Sequence, residues 1–141
     1  MLTQLTYTRF ICLCIFSLLY SGTLLAELVN IDNTELQKLL NEKTIIIDVR
    51  RAEEWAETGV IESSQLLTFF DGNGYFNAQK WQTEMSELSD SSSPVILICH
   101  SGSRSKVIGN WMVNTLGYQT VYNVKEGILS WKRFSGKTVT P

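Results

Sequence analysis

Two short runs decide what this chain can fold into: "TIIIDV" (Thr44–Val49) and "PVILIC" (Pro94–Cys99). Each is strand-sized, rich in branched apolar residues, and shows no polar alternation. A strand with one wet face would alternate, so these two are covered on both sides. That is the condition of a parallel sheet with helices on both faces, which places the chain in the α/β class.

The segments between the runs supply the helices. Asp32, with Glu35 three residues on, reads as a capping box, and Leu36, Leu39 and Leu40 form a stripe reaching about Asn41. "RRAEEWAETG" is a short charged helix closed by Gly59. Trp81, Met85 and Leu88 share one side of a helix from about Asn77 to Leu88. Val107, Ile108, Trp111, Met112 and Leu116 repeat at helical spacing, with Gly117 in the place of a left-handed cap. "QTVYNV" is a third clear strand, "SQLLTFF" a weaker one, and "EGILSWKRF" a final helix or turn.

The 141 residues suit one domain, and 18% charged with 44% apolar residues is the composition of a folded chain. A net charge of -2 without a basic stripe argues against a nucleic-acid partner. The N-terminus differs from the rest. Arg9 precedes a stretch from Phe10 to Ala26 that carries no charge. That pattern is an export signal, which divides the chain into residues 1–26 and a domain of residues 27–141. Left uncleaved, the same stretch would be a membrane anchor, since about 17 uncharged residues sit at the lower limit for a span. Cys12 and Cys14 belong to the signal segment, so the mature chain keeps only Cys99. A lone cysteine makes no internal disulfide; it is either buried and inert or reactive.

Cys99 ends one buried run and opens "CHSGSRSK". In parallel sheets ligands bind beyond the carboxyl ends of the strands, where Cys99 stands, and Asp48 and Arg50 with it. The chain must turn sharply before a helix starting near Ser103, and Gly102 permits the turn. The amides of that loop and the new helix start would surround one spot and favour an anion there. The Cys99 thiolate is the first group they would stabilise. Arg104 adds a fixed charge and a planar fork, and Ser101, Ser103 and Ser105 add hydroxyl donors. His100 adjoins Cys99, but adjacent residues leaving a strand point in different directions. It therefore lines the mouth and helps bind an anion rather than acting as a base. One cysteine and one histidine lack the spaced partners of a zinc site, so neither metal nor cofactor is expected.

Three stretches together resemble the rhodanese family, in particular exported single-domain rhodaneses of bacteria. "IIIDVRRAEEWAETGVI" is similar to its D-V-R-x-x-x-E-[FYW]…G-H-I stretch. "VILICHSGSRS" is similar to its strand and C-R-x-G-x-R-[ST] loop, and "LGYQTVYNVKEGILSW" to its closing stretch. The resemblance implies a five-stranded parallel sheet and a periplasmic sulfurtransferase that carries sulfane sulfur as a persulfide on Cys99. It implies thiosulfate or a similar anionic donor, and a thiophilic acceptor that is a small molecule or a protein. His100 to Ser105 would hold substrate or persulfide. Arg50 would lie near the pocket, either as a substrate contact or in an ion pair, with Asp48 structural. Five positions depart from the pattern: His100 replaces an arginine, Val60 the histidine, Ser63-Ser64 a Gly-Ala, and Glu126 the first of two glycines.

Two other functions compete. Cysteine phosphatases and arsenate reductases surround a tetrahedral anion with a C-x5-R loop, whereas Cys99 and Arg104 enclose one residue fewer. The smaller ring suits a sulfur atom better than a phosphoryl group. Rhodanese-like domains also serve as binding or sulfur-carrier modules, although cases without catalysis often lack the cysteine.

Overall fold

The computed structural model describes residues 25–141. The segment read as an export signal lies outside the described residues except for Leu25 and Ala26. The elements alternate along the chain: β1 (Glu27–Ile31), α1 (Asn33–Asn41), β2 (Ile45–Asp48), α2 (Ala52–Thr58), β3 (Gln65–Leu66), α3 (Ala78–Leu88), β4 (Val95–Ile98), α4 (Ser103–Leu116), β5 (Thr120–Val124) and α5 (Gly127–Arg133). The strands form one sheet in the order β1-β5-β4-β2-β3, and every pairing is parallel. This is the five-stranded, helix-covered sheet that the sequence implies.

β4 is the central strand, and Val95, Ile96, Leu97 and Ile98 are all 0% exposed. Successive strand residues serve opposite faces. Ile47, Leu97 and Val121 meet Trp81 and Met85 of α3 and Ile108 and Met112 of α4 on one face. Ile46, Ile96 and Ile98 meet Leu36 and Leu39 of α1 and Ile128 and Trp131 of α5 on the other. The unbroken apolar run is thus needed because both of its sides are core. Each such side chain contributes about 1.5–3 kcal/mol of burial. α2 contains no buried residue and stays outside both cores.

Helix ends follow their sequence signals, with one change. Asp32 Oδ1 accepts from Thr34 N (2.9 Å) and Glu35 N (3.0 Å). Glu35 pairs with Lys38 at 3.1 Å, so the cap works in one direction only. Gly117 is left-handed (φ 76°), as its position after α4 requires.

Two strands differ from their sequence reading. "SQLLTFF" keeps only Gln65–Leu66 as β3. Beyond it, Leu67 N still donates to Asp48 O (3.1 Å) and Phe69 N to Val49 O (3.3 Å), so the segment tracks β2 without regular pairing. β1 is legible only through the five-strand expectation. It is an edge strand whose residues run from exposed to buried, without the apolar run of the centre.

Candidate active site at the carboxyl end of the sheet

Cys99 follows β4 directly and is 0% exposed. Gly102 adopts φ 88°, which turns the chain into α4. A Cβ there would also lie 2.7 Å from Glu126 N and 3.0 Å from Val124 O, so space and conformation both demand glycine. Gly127 is held as tightly: a Cβ on it would meet Cys99 O at 2.3 Å. The first amides of α5 grip the loop backbone, Ile128 N donating to Cys99 O (2.9 Å) and Leu129 N to His100 O (3.3 Å). The loop is therefore fixed from behind by the turn that follows β5.

Two groups converge on the sulfur. Gly102 N donates to Cys99 Sγ at 3.1 Å, and Ser105 Oγ lies 3.2 Å from it. Ser105 is fully buried, in the first turn of α4. Ser101 and Ser103 are exposed, and their hydroxyls meet each other at 3.2 Å instead of the sulfur. His100 is half-buried and takes part in the loop through its carbonyl.

Arg104 stands at the loop as the sequence places it, but its fork is engaged. Nη1 donates to Glu54 Oε2 (2.9 Å) and Nη2 to Glu54 Oε1 (2.5 Å), the bidentate geometry that arginine favours. Arg51 N also donates to Glu54 Oε2 at 3.1 Å. These bonds, Arg104's first, lower the Glu54 carboxyl pKa from 4.5 to about 2, and the same pairing raises that of Arg104. The pair stays charged at every physiological pH.

Arg50 is corrected. As a substrate contact it would need a free edge, and it has none. The side chain is 0% exposed. Nε donates to Asp48 Oδ1 (2.9 Å), Nη2 to Asp48 Oδ2 (2.7 Å) and Gly59 O (2.8 Å), and Nη1 to Thr58 Oγ1 (2.6 Å). Arg50 is a structural ion pair that ties the end of β2 to the end of α2.

Sequence reasoning missed three contributors to the site. Glu54 is 50 residues from Arg104, and spacing gives no hint of the contact. Gly127 looks like a helix start, not the floor under Cys99. Asn123 leaves a signal in the sequence, a polar residue in the apolar run "TVYNV", and it accepts from Ser105 Oγ at 2.6 Å.

A buried cysteine, cradled where a central parallel strand gives way to a helix, defines a class: a domain built around one cysteine at a sheet end. The family model for the rhodanese-like domain matches residues 32–134, and the chain belongs to that family. Rhodanese-like domain-containing protein 17 of Arabidopsis thaliana is 29% identical over 117 residues, covering 79% of this chain and 74% of that protein. The polysulfide-sulfur transferase homodimer of Wolinella succinogenes superposes with a TM-score of 0.62 at 20% identity, over 79% of this chain and 78% of that one. A Rhodopseudomonas palustris protein of unknown function, described as a possible tyrosine phosphatase, gives 0.58 at 17% identity, over 79% and 85%. At these identities the two structures show a shared fold and nothing finer.

Proposed function

We propose that this protein is a sulfurtransferase that moves a sulfane sulfur from thiosulfate or a similar donor to a thiophilic acceptor through a Cys99 persulfide. The observation that carries the reading is the convergence of Gly102 N and Ser105 Oγ on one sulfur at the floor of a short loop. The Cys99 thiolate attacks the donor's sulfane sulfur. A new S–S bond forms, the donor's S–S bond breaks, and its electron pair leaves with the sulfite. The acceptor then attacks the outer sulfur and returns the thiolate. Loop amides and the start of α4 stabilise the anionic forms. The acceptor is a small thiophile or a protein.

The loop favours this over phosphate chemistry. Four residues separate Cys99 from Arg104, and the Arg104 fork is held by Glu54 instead of standing open to a tetrahedral anion. With histidine at position 100 and Arg104 paired, fixed positive charge at the mouth is low, so thiosulfate binds weakly. His100→Arg lowers the KM for thiosulfate. The proposal extends to place: residues 1–26 direct export to the periplasm and are removed. An N-terminal sequence of the secreted protein beginning at Glu27 checks it.

The test is a paired assay. Wild type forms thiocyanate from thiosulfate and cyanide, Cys99→Ser forms none, and neither hydrolyses an aryl phosphate. Aryl phosphate hydrolysis without sulfur transfer would replace the proposal with a phosphatase.

A further inference from the structure

Ser105 has one hydroxyl proton and two partners. Its Oγ lies 3.2 Å from Cys99 Sγ and 2.6 Å from Asn123 Oδ1. Asn123 donates onward, Nδ2 to Asn30 Oδ1 at 2.8 Å. Asn30 and Asn123 are register partners on β1 and β5. Ser105 and Asn123 are 0% and 2% exposed, whereas Asn30 is exposed. A single file of polar groups therefore runs from the buried sulfur across two strands to solvent. A buried amide inside a sheet is costly unless both of its ends are partnered, and here both are.

The file runs away from the sulfur. Ser105 donates to Asn123, which donates to Asn30, so Ser105 turns a lone pair towards Sγ. That arrangement suits a thiol, whose S–H donates to Ser105 Oγ. It does not suit a thiolate, because lone pairs then face each other. The hydroxyl must swing to the sulfur, which strips Asn123 Oδ1 of its donor. Turning over both amides repairs the loss: Asn123 Nδ2 then donates to Ser105 Oγ, and Asn30 Nδ2 to Asn123 Oδ1. Every group is again satisfied with the polarity reversed. The exposed Asn30 makes the reversal inexpensive, since water serves its free end in either orientation.

We propose that Ser105, Asn123 and Asn30 are positioning residues, a hydrogen-bond file that reverses its polarity when Cys99 ionises, so that thiol and thiolate each meet a complete network. This rests on Cys99 being the nucleophile proposed above. The file carries no proton; the thiol proton passes to water. Other charged or titratable groups around the sulfur are Arg104 with Glu54 upon it, the Asp48–Arg50 pair, His100, and Glu126 in the turn after β5. None of these changes in the variants below.

The experiment is alkylation of Cys99 by iodoacetamide as a function of pH, on folded protein without any sulfur donor. It remains readable whether or not sulfur transfer occurs. Asn30→Asp places a permanent acceptor against Asn123 Nδ2 and locks the file pointing away from the sulfur. The alkylation profile then moves to higher pH, and the rate at neutral pH falls about 3- to 10-fold, the scale of one net hydrogen bond. The shift persists in 1 M NaCl, whereas a through-space effect of a charge at the exposed edge weakens as the screening length in solvent falls to about 3 Å. Asn123→Leu frees the Ser105 hydroxyl for the sulfur, and the profile moves to lower pH. An Asn30→Asp profile that matches wild type, or a shift that vanishes in salt, overturns the proposal. So does an upward shift in Asn123→Leu. Should Asn123→Leu not fold, Asn30→Asp at its exposed edge position decides alone.

Discussion

Two arginine–carboxylate pairs stand at the carboxyl end of the sheet, and they are built for opposite purposes. Asp48 and Arg50 are two residues apart, and both side chains are 0% exposed. Every guanidinium nitrogen of Arg50 has a partner within the fold. Glu54 and Arg104 come from α2 and α4, and their side chains are 14% and 25% exposed. Arg104 spends its fork on a single carboxylate and keeps an edge towards solvent. Both arginines lie just past the carboxyl ends of central strands, two residues after β2 and six after β4. Their role is decided by how many donors are already committed.

Breaking the buried pair has the larger effect. Asp48→Ala strands an unpaired guanidinium in the interior and costs about 3–5 kcal/mol. Urea unfolding measures it, and a loss below about 1 kcal/mol would mean that Arg50 is not held as described. The partly buried pair answers differently. Glu54→Gln costs about 1–2 kcal/mol, less than the buried pair, because solvent reaches both side chains and glutamine keeps part of the hydrogen bonding. It frees the Arg104 fork, so the KM for thiosulfate falls several-fold while kcat changes less. An unchanged KM would show that the fork does not face the donor.

The same pair gives a pH limb. The folded Glu54 carboxyl titrates near 2 instead of 4.5, so at low pH the unfolded chain binds the proton more readily. The contribution is complete above 4.5 and is lost as pH falls towards 2. Acid unfolding of Glu54→Gln, compared with wild type, should lack this part of the decline. The smallest effect concerns a third pair, Arg133–Glu126, with side chains 62% and 60% exposed. Glu126 occupies the left-handed region at φ 65°, which a side chain resists. Glu126→Gly gives up a weak surface pair and relieves that strain, for a net gain of about 1 kcal/mol in thermal or urea unfolding.

The centre of the fold was legible because burial on two faces leaves a one-dimensional mark. β2 and β4 are unbroken apolar runs, and α4 shows its stripe and its closing Gly117. β1 leaves no such mark, since an edge strand has mixed surroundings. At the site, Cys99, Gly102 and Arg104 were legible because strand, turn and helix meet within six residues. The contact between Glu54 and Arg104 was not, because only the packing of α2 beside the loop brings them together. Arg50 shows the converse. Its motif was recognisable, but both roles fit the letters "DVR". Only the partners of its nitrogens separate them. Asn123 was visible as a polar letter in an apolar strand, yet its meaning depends on Ser105 and Asn30, which are 18 and 93 residues away.

The central claim is that Cys99 carries sulfur, and the intact mass of the protein tests it most directly. After incubation with thiosulfate, the account predicts a gain of one sulfur atom, its removal by cyanide with release of thiocyanate, and no gain in Cys99→Ser. A wild-type mass that stays unchanged with thiosulfate, with polysulfide and with an organic persulfide would contradict it.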